Sequence, residues 1–482
     1  MREQLPASLR RHTVLVVGGG FSGTITAAQL IRQAELAGVH LRVVLAERTG
    51  TIGQGVAYGT SDESHLLNVA AGRMSAWPDK PDDFVAWVGR TMRPVDPADF
   101  VPRAWYGRYV RETLSAVRRA ARRASCEYVF DEVCRVSRRP AGGWVAGFAR
   151  GGSLAIDDVV LAIGHRPPAD PLAGRWHGSR ERYVPDPWGP FTMGGIGPEA
   201  PVLIIGSGLT AIDAVMSICH APRSAPVYLV SRRGLTPREH ARPGAPPADL
   251  ADAVEACVRR HGGPNVLDLV RRIRRCVGDT VEGGGDWRTV IDGLRPFTPT
   301  LWRAAADAQR SRFMRHVRPL WEVLRHRMAP EVGARLGRWR AEGAVCVMAG
   351  RVDAVHAAAG SPVQATVRCR GDAASRALVV GWVINCTGPS PSNRPEANPA
   401  VGSLLLRGWV RPDALDLGLE TTADGRAVSR AGHPVPDLHV IGTLRKAAAW
   451  ESTAVPELRV QAEVAAATIV ARARSAAVPR AA

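Results

Sequence analysis

The chain has 482 residues, 45% of them hydrophobic and 22% charged, with a formal net charge of +18. That length is too great for one ordinary core and predicts two or three domains; no apolar run approaches the roughly 20 residues needed to span a bilayer. The positive balance rests on scattered arginine, with lysine only at Lys80 and Lys446, and no nucleic-acid-binding motif accompanies it, which argues against a specific nucleic-acid partner.

The start, MREQLPASLRRHTVLVVGGG, imitates a signal peptide. Its apolar run is short, lacks a small-residue cleavage site and leads into a glycine loop, so it reads as a strand over 13–17. Gly18-Gly19-Gly20-Phe21-Ser22-Gly23 follows, then a helix to about residue 37 and a second strand, LRVVLAER. Much later a meander-like region closes on DDVVLAIGHRP (157–167). The pattern then starts again: a strand over 201–205, Gly206-Ser207-Gly208-Leu209-Thr210-Ala211, a helix, and the strand PVYLVSRRG (226–234). A second meander-like region ends at Gly388. Strand, helix and strand at this spacing predict parallel sheets.

A long insertion, roughly 235–344, interrupts the second copy. It is Pro/Gly-rich at ARPGAPPADL, then helical, with Phe313, Val317, Leu320 and Leu324 at helix spacing and Pro319 placed to kink or break that helix. The last segment, from HVIGTLRK onward, reads as strand, loop and long helix without a glycine loop. The expected architecture is α/β, with two Rossmann-like dinucleotide-binding domains: a discontinuous first domain over 1–189 and 389–482, and a second inserted in it over 190–388.

In a G-x-G-x-x-G loop the first glycine permits the turn, the second lets a pyrophosphate approach the backbone, and the third lets the helix pack on the strand. The helix N-terminus offers free N–H groups to the phosphates. Gly18, Gly20 and Gly23, with Ser22, form one such loop; Gly206, Gly208, Ser207 and Thr210 form another, in which Ala211 takes the third glycine's place. In the first copy Glu47 ends the second strand, where a carboxylate can accept bonds from the ribose hydroxyls. In the second, Arg232 and Arg233 stand there, which suits a ribose 2′-phosphate. The first cradle is expected to hold FAD and the second NADPH.

The eight cysteines, Cys126, Cys134, Cys219, Cys257, Cys276, Cys346, Cys369 and Cys386, form no CxxC or CxxxxC pair. This predicts reduced thiols in a cytoplasmic protein and leaves disulfide reduction without its cysteine pair. The histidines form no HExxH or other metal cluster, and no metal is expected.

The segment Gly53-Gln54-Gly55-Val56-Ala57-Tyr58-Gly59-Thr60, HLLNVAAGRMSAWP (65–78), VPRAWYGRYV (101–110), LRPFTPTLW (294–302), FMRHVRPLWEVLRHR (313–327), NCTGP and AWESTAVPELRVQA together resemble bacterial FAD/NAD(P)-binding flavoproteins with a GxGxAYxT-type segment. The resemblance covers nearly the whole chain. It implies an NADPH-dependent amino-acid N-hydroxylase, most similar to the L-aspartate N-monooxygenases that form nitrosuccinate. It implies flavin contacts at Asn68 and Arg73 and at Thr453, Ala454 and Val455, which open the last helix; Gln54, Tyr58, Met74, Gly388 and Gly442 are further expected cofactor-binding residues. It also implies substrate handling by His65, Arg295 and Arg445.

Physically, two arginines suit the carboxylates of a small acidic amino acid, and nearby cations lower the pKa of its amine. His65 would take the amine proton or anchor a carboxylate. His165 reads as a structural loop residue. The expected reaction is N-hydroxylation by O2 through a C4a-hydroperoxyflavin, with a small amino acid as partner and no membrane. Two alternatives stay open: an NADPH-dependent flavin oxidoreductase with another acceptor, and a flavin-containing redox-sensing or binding protein.

Overall fold

The structure is a computed structural model that describes residues 11–189, 193–241, 246–260, 262–372, 374–390 and 398–477. Residues 1–10 of the signal-like start and 242–245 of the Pro/Gly-rich stretch lie outside it.

The strand His12–Val17 is buried from Thr13 on, as an apolar run in the middle of a sheet must be. It pairs in parallel with Leu41–Ala46 on one side and Asp158–Leu161 on the other. Ala124–Val129 extends the sheet beyond Leu41–Ala46, and Pro434–Val440 extends it beyond Asp158–Leu161, both in parallel. The hairpin partner Arg426–Val428 closes that edge. A C-terminal strand therefore sits in a sheet that begins at residue 12.

A second sheet repeats the arrangement. Val202–Ile205 pairs in parallel with Val227–Ser231 and with Trp382–Asn385. Val345–Ala357 lies beyond Val227–Ser231, and Tyr183–Val184 beyond Trp382–Asn385. In both sheets the glycine-loop strand is central and the strand that follows the meander is its neighbour. The first meander is a separate antiparallel sheet, Val133–Arg138, Trp144–Phe148 and Ser153–Ile156. The second grows from the long strand Val345–Ala357, which turns into an antiparallel ladder with Val363–Cys369 and Ser375–Val380.

The first glycine-loop helix, Phe21–Ala37, ends at Gly38 in the left-handed conformation. Its Ala27, Leu30, Ile31 and Ala34 pack against Ala465, Ala466, Ile469 and Ala473 of the C-terminal helix Val455–Ala477. Small residues on both helices permit this close approach. The insertion holds helices at Ala251–Val258, Val266–Glu282, Trp287–Leu294, Thr298–Ala304, Asp307–Arg312 and Arg318–Arg325, followed by Pro330–Ala341. Around Pro319 the chain does not break. The helix widens into a π-helical turn over Phe313–Val317, and Pro319 falls in the first turn of the next helix, where its missing N–H costs no hydrogen bond.

No helix among the described residues is long and apolar enough to cross a membrane, and no group of three or more potential metal ligands occurs among them. All eight cysteines are free.

Candidate functional site

Gly18 follows the first strand at φ +105°, a region that L side chains rarely adopt. A Cβ there would lie 2.4 Å from the carbonyl oxygen of Ala162, on the neighbouring strand's extension. At Gly23 a Cβ would lie 1.8 Å from the Gly18 carbonyl oxygen, so the helix reaches its place only because that position is glycine. Gly20 is the N-cap and carries no side chain to cap the helix. The first N–H groups are thus left for a ligand. Glu47 stands at the end of Leu41–Ala46: its Oε2 accepts the Gly19 N–H at 2.6 Å, and its Oε1 accepts the Thr49 N–H and O–H, each at 2.8 Å. The carboxylate is held in a fixed orientation beside the loop.

These groups open on a cleft of about 690 Å³, within the range of cofactor sites. Gly18, Gly20, Ser22, Glu47, Gln54, Tyr58, Gly442 and Thr453 line it, and so does His65. Gly23 lies in the first turn of the helix, packed against the loop. Met74 and Val455 are buried in the apolar cluster beneath, with Phe21 and Tyr106. Ala454 accepts the Leu458 N–H at the start of the last helix. The Asn68 carbonyl oxygen is 3.0 Å from Nε2 of His240, and Arg73 closes a 3-10 turn over Ala71–Arg73. The cradle fits a dinucleotide: a diphosphate beside Gly20 at the helix N-terminus and ribose hydroxyls at Glu47.

The second loop obeys the same steric rule. Gly206 has φ +118°, and a Cβ on it would lie 2.2 Å from the Cys386 carbonyl oxygen. Gly208 caps the helix Leu209–Ile218 without a side chain, and open space surrounds the position of its missing Cβ. Gly388, at φ +83°, also faces open space. Ser207 Oγ lies 2.7 Å from Ser231 Oγ, tying the loop to the end of the next strand. Thr210 stands in the first turn of the helix, and Ala211 is fully buried against the sheet. Arg232 is exposed at the strand end. Arg233 donates to the His316 carbonyl oxygen at 3.3 Å, so one arginine of the pair is partly committed to the insertion.

His65, Arg295 and Arg445 each make their contacts with a different part of the fold. His65 is 2% exposed. Its Nε2 lies 3.0 Å from the Asp213 carbonyl oxygen and 2.9 Å from Ser217 Oγ, and its Nδ1 lies 2.8 Å from Thr60 Oγ1. A carbonyl oxygen only accepts, so Nε2 carries a hydrogen, while Nδ1 shares a second bond with the Thr60 hydroxyl. Ser217 in turn donates to Asp62 at 2.5 Å. Burial raises the Asp62 pKa, but the bonds from Ser217 and Ser64 outweigh it and hold the carboxyl below its ordinary value. Arg103 reaches Asp213 at 2.8 Å. Burial pushes the Asp213 pKa up, against the pull of Arg103. This network joins the loop 60–65 to the second glycine-loop helix, and its histidine has both ring nitrogens occupied.

Arg445 is buried. It donates to the Ala423 carbonyl oxygen at 2.9 Å, and burial pulls its pKa down to about 10. It therefore braces the 422–425 turn. Arg295 donates to Glu457 Oε1 through Nη2 at 2.8 Å and through Nε at 3.2 Å. Beside it, Arg325 pairs with Glu451 at 3.1 Å, and Arg327 pairs with Asp292. Sequence reasoning missed Arg325, Glu451, Asp213 and Ser217. The visible signals were acids inside apolar helical patterns, LTAIDAV and AWESTAVPE.

Residues 15–166 match the sequence model of a FAD-NAD(P)-binding family. No curated protein sequence matches the chain. Among solved structures, the fold is similar to that of the reduced form of ornithine hydroxylase from Pseudomonas aeruginosa, with a TM-score of 0.62 and 16% identity over 96% of this chain and 99% of that one. It is also similar to the ornithine N-hydroxylase of Kutzneria sp. 744, at 0.60 and 16% over 96% and 100%. L-lysine 6-monooxygenase from Pseudomonas syringae gives 0.60 and 14% over 97% and 100%. Thioredoxin reductase from T. acidophilum is a looser relative in shape, at 0.52 and 10% over 95% and 97%. At these identities the likeness is one of fold. The chain has the α/β fold with parallel sheets of FAD/NAD(P)-binding Rossmann-like proteins.

Proposed function

We propose that this chain is an FAD- and NADPH-dependent monooxygenase that N-hydroxylates the amine of a small acidic amino acid, L-aspartate being the first to try. The observation that carries the reading is the pair of glycine loops, each following an interior strand with parallel neighbours on both sides in its own sheet, in a chain whose eight cysteines are all free. Two cradles suit a flavin and its hydride donor, and the free cysteines give no internal dithiol relay to a disulfide, which counts against disulfide reduction. When bound, FAD would accept hydride and activate oxygen.

The chain's own residues have simpler tasks in this reading. Gly18, Gly20 and the N-terminus of Phe21–Ala37 hold the FAD diphosphate, and Glu47 accepts from the adenosine ribose. Gly206, Gly208 and the N-terminus of Leu209–Ile218 hold the NADPH diphosphate, with Arg232 on the 2′-phosphate. Arg295 offers a planar fork to a substrate carboxylate. His65 and Arg445 support the site, His65 by keeping its proton on Nε2 and fixing the loop that walls the cleft.

The test is to purify the FAD-loaded protein, add NADPH, and follow cofactor oxidation and N-oxygenated product with and without L-aspartate. Aspartate-dependent product is expected. Oxidation that yields only hydrogen peroxide, whatever amine is offered, would overturn the proposal.

A further inference from the structure

Two ion pairs, one buried and one half-buried, tie the helical insertion to the start of the last helix. Arg295, in the turn after Trp287–Leu294, meets Glu457, and Arg325, at the end of Arg318–Arg325, meets Glu451. Glu451 and Glu457 flank Thr453, which lines the cleft. Arg325 and Glu451 are 7% and 5% exposed. A buried ion pair such as Arg325–Glu451 is an expensive way to fasten two segments, since desolvation can exceed the Coulomb gain.

The pairs are also incomplete. Arg325 Nε is a buried donor without a partner, and Glu457 Oε2 is a buried acceptor without one; Arg327 Nε, close by, is another unused donor. Native proteins rarely leave such groups unmatched; ordered water or a ligand completes them. Glu457 acts electrostatically on Arg325, so the two pairs belong to one cluster.

The charges do not cancel. Arg295, Arg325, Arg327 and Lys446 face Asp292, Glu451 and Glu457, while Arg318 and Glu322 neutralise each other at 2.7 Å. One positive charge remains. A zwitterionic amino acid with a side-chain carboxylate carries one net negative charge, whereas ornithine and lysine carry one net positive charge. The free acceptor on Glu457 suits the ammonium, and the free donors on Arg325 and Arg327 suit carboxylate oxygens.

We infer that Arg325, Glu451 and Glu457, together with Arg295, form the recognition site for an amino acid of net charge −1, and that this cluster excludes diamino acids. The ligand class rests on the N-hydroxylase reading above. Arg325 is the specificity-determining residue, and Glu451 holds its guanidinium in place, with the indole N–H of Trp321 bonded to the same carboxylate at 3.3 Å.

The experiment is isothermal titration calorimetry of the FAD-loaded protein with L-aspartate, L-glutamate and L-ornithine. One of the two dicarboxylates should bind at least about tenfold more tightly than ornithine. Arg325→Met should weaken that binding by about tenfold or more while FAD content is kept. Arg325→Lys, which preserves the charge opposite Glu451 but not the fork, guards against a folding defect and should fall between the two. Arg370→Met, at an exposed arginine elsewhere, should change nothing.

Ornithine binding as tight as either dicarboxylate, or dicarboxylate binding indifferent to both Arg325 variants, would overturn the inference. Product assays on the same samples separate it from the functional proposal. Arg325-dependent aspartate binding with no hydroxylated product keeps the site and removes the monooxygenase. N-hydroxylated ornithine keeps the monooxygenase and removes the site.

Discussion

Gly23 and Ala211 hold the same place in two loops built on the same plan, yet only one of them has to be glycine. A methyl at residue 23 would meet the Gly18 carbonyl oxygen at 1.8 Å, whereas the methyl of Ala211 is accommodated and fully buried. The first glycine of each loop shows no such freedom: Gly18 and Gly206 both sit against the carbonyl of a neighbouring strand, at 2.4 and 2.2 Å from a would-be Cβ. The sheet therefore dictates the first glycine, and the closeness of helix to strand decides the third. The loops also differ in charge. The first ends its second strand in a carboxylate that is already oriented, the second in an exposed arginine. One plan thus presents opposite charges at corresponding places.

The largest test of this contrast is Gly23→Ala. The clash is with backbone, and we expect a loss of about 3 kcal/mol or more with little FAD retained, read by thermal unfolding and by flavin absorbance. The mirror change, Ala211→Gly, should cost only about 1 kcal/mol, the helix penalty of glycine, and leave FAD content unchanged. Equal effects at the two positions would break the comparison.

Acid should act on the insertion carried by the second copy. Burial, aided by Arg327 at one and Arg325 at the other, lowers the pKa of His240 and of His326 from 6.5 to about 4. The unfolded chain then binds more protons than the folded one between those values, so stability is complete above about pH 6.5 and drains away as pH falls toward 4. The loss is on the order of a few kcal/mol. His240→Gln, which can still donate to the Asn68 carbonyl, should flatten the slope of melting temperature against pH; an unchanged slope would contradict the assignment.

Glu47→Ala should weaken FAD binding by about ten- to a hundredfold, as expected for lost charge-assisted bonds, and barely alter NADPH binding. Arg232→Ala should raise KM for NADPH by about tenfold and leave KM for NADH nearly unchanged. Arg233→Ala should do less, because that side chain already bonds to the insertion. Equal effects on both nicotinamide cofactors would refute the 2′-phosphate role of Arg232.

What could be read from the sequence was what neighbouring residues decide among themselves. Gly18 and Gly23 are five apart, Glu47 closes the very next strand, and the apolar runs around them are uninterrupted, so the glycine loops and the parallel pairing of their strands were visible. The seams were not. His65 meets Ser217 across 152 positions, Arg103 meets Asp213 across 110, and Arg295 meets Glu457 across 162. Nothing in the local pattern of an isolated histidine or arginine announces such a partner. The same limit explains Arg445: it looked free in the sequence because the Ala423 carbonyl that holds it belongs to a backbone turn, which has no side-chain signature. Pro319 was visible as an interruption, but the widened turn that absorbs it depends on backbone geometry that side-chain spacing does not encode.

The most direct measurement is anaerobic mixing of the flavin-loaded protein with NADPH while the flavin absorbance is followed. Rapid bleaching, slowed by Arg232→Ala and lost with Gly206→Ala, would mean that electrons enter at the second cradle and arrive at the first. A protein that takes up no flavin, or whose flavin NADPH leaves oxidised, would contradict the account at its root.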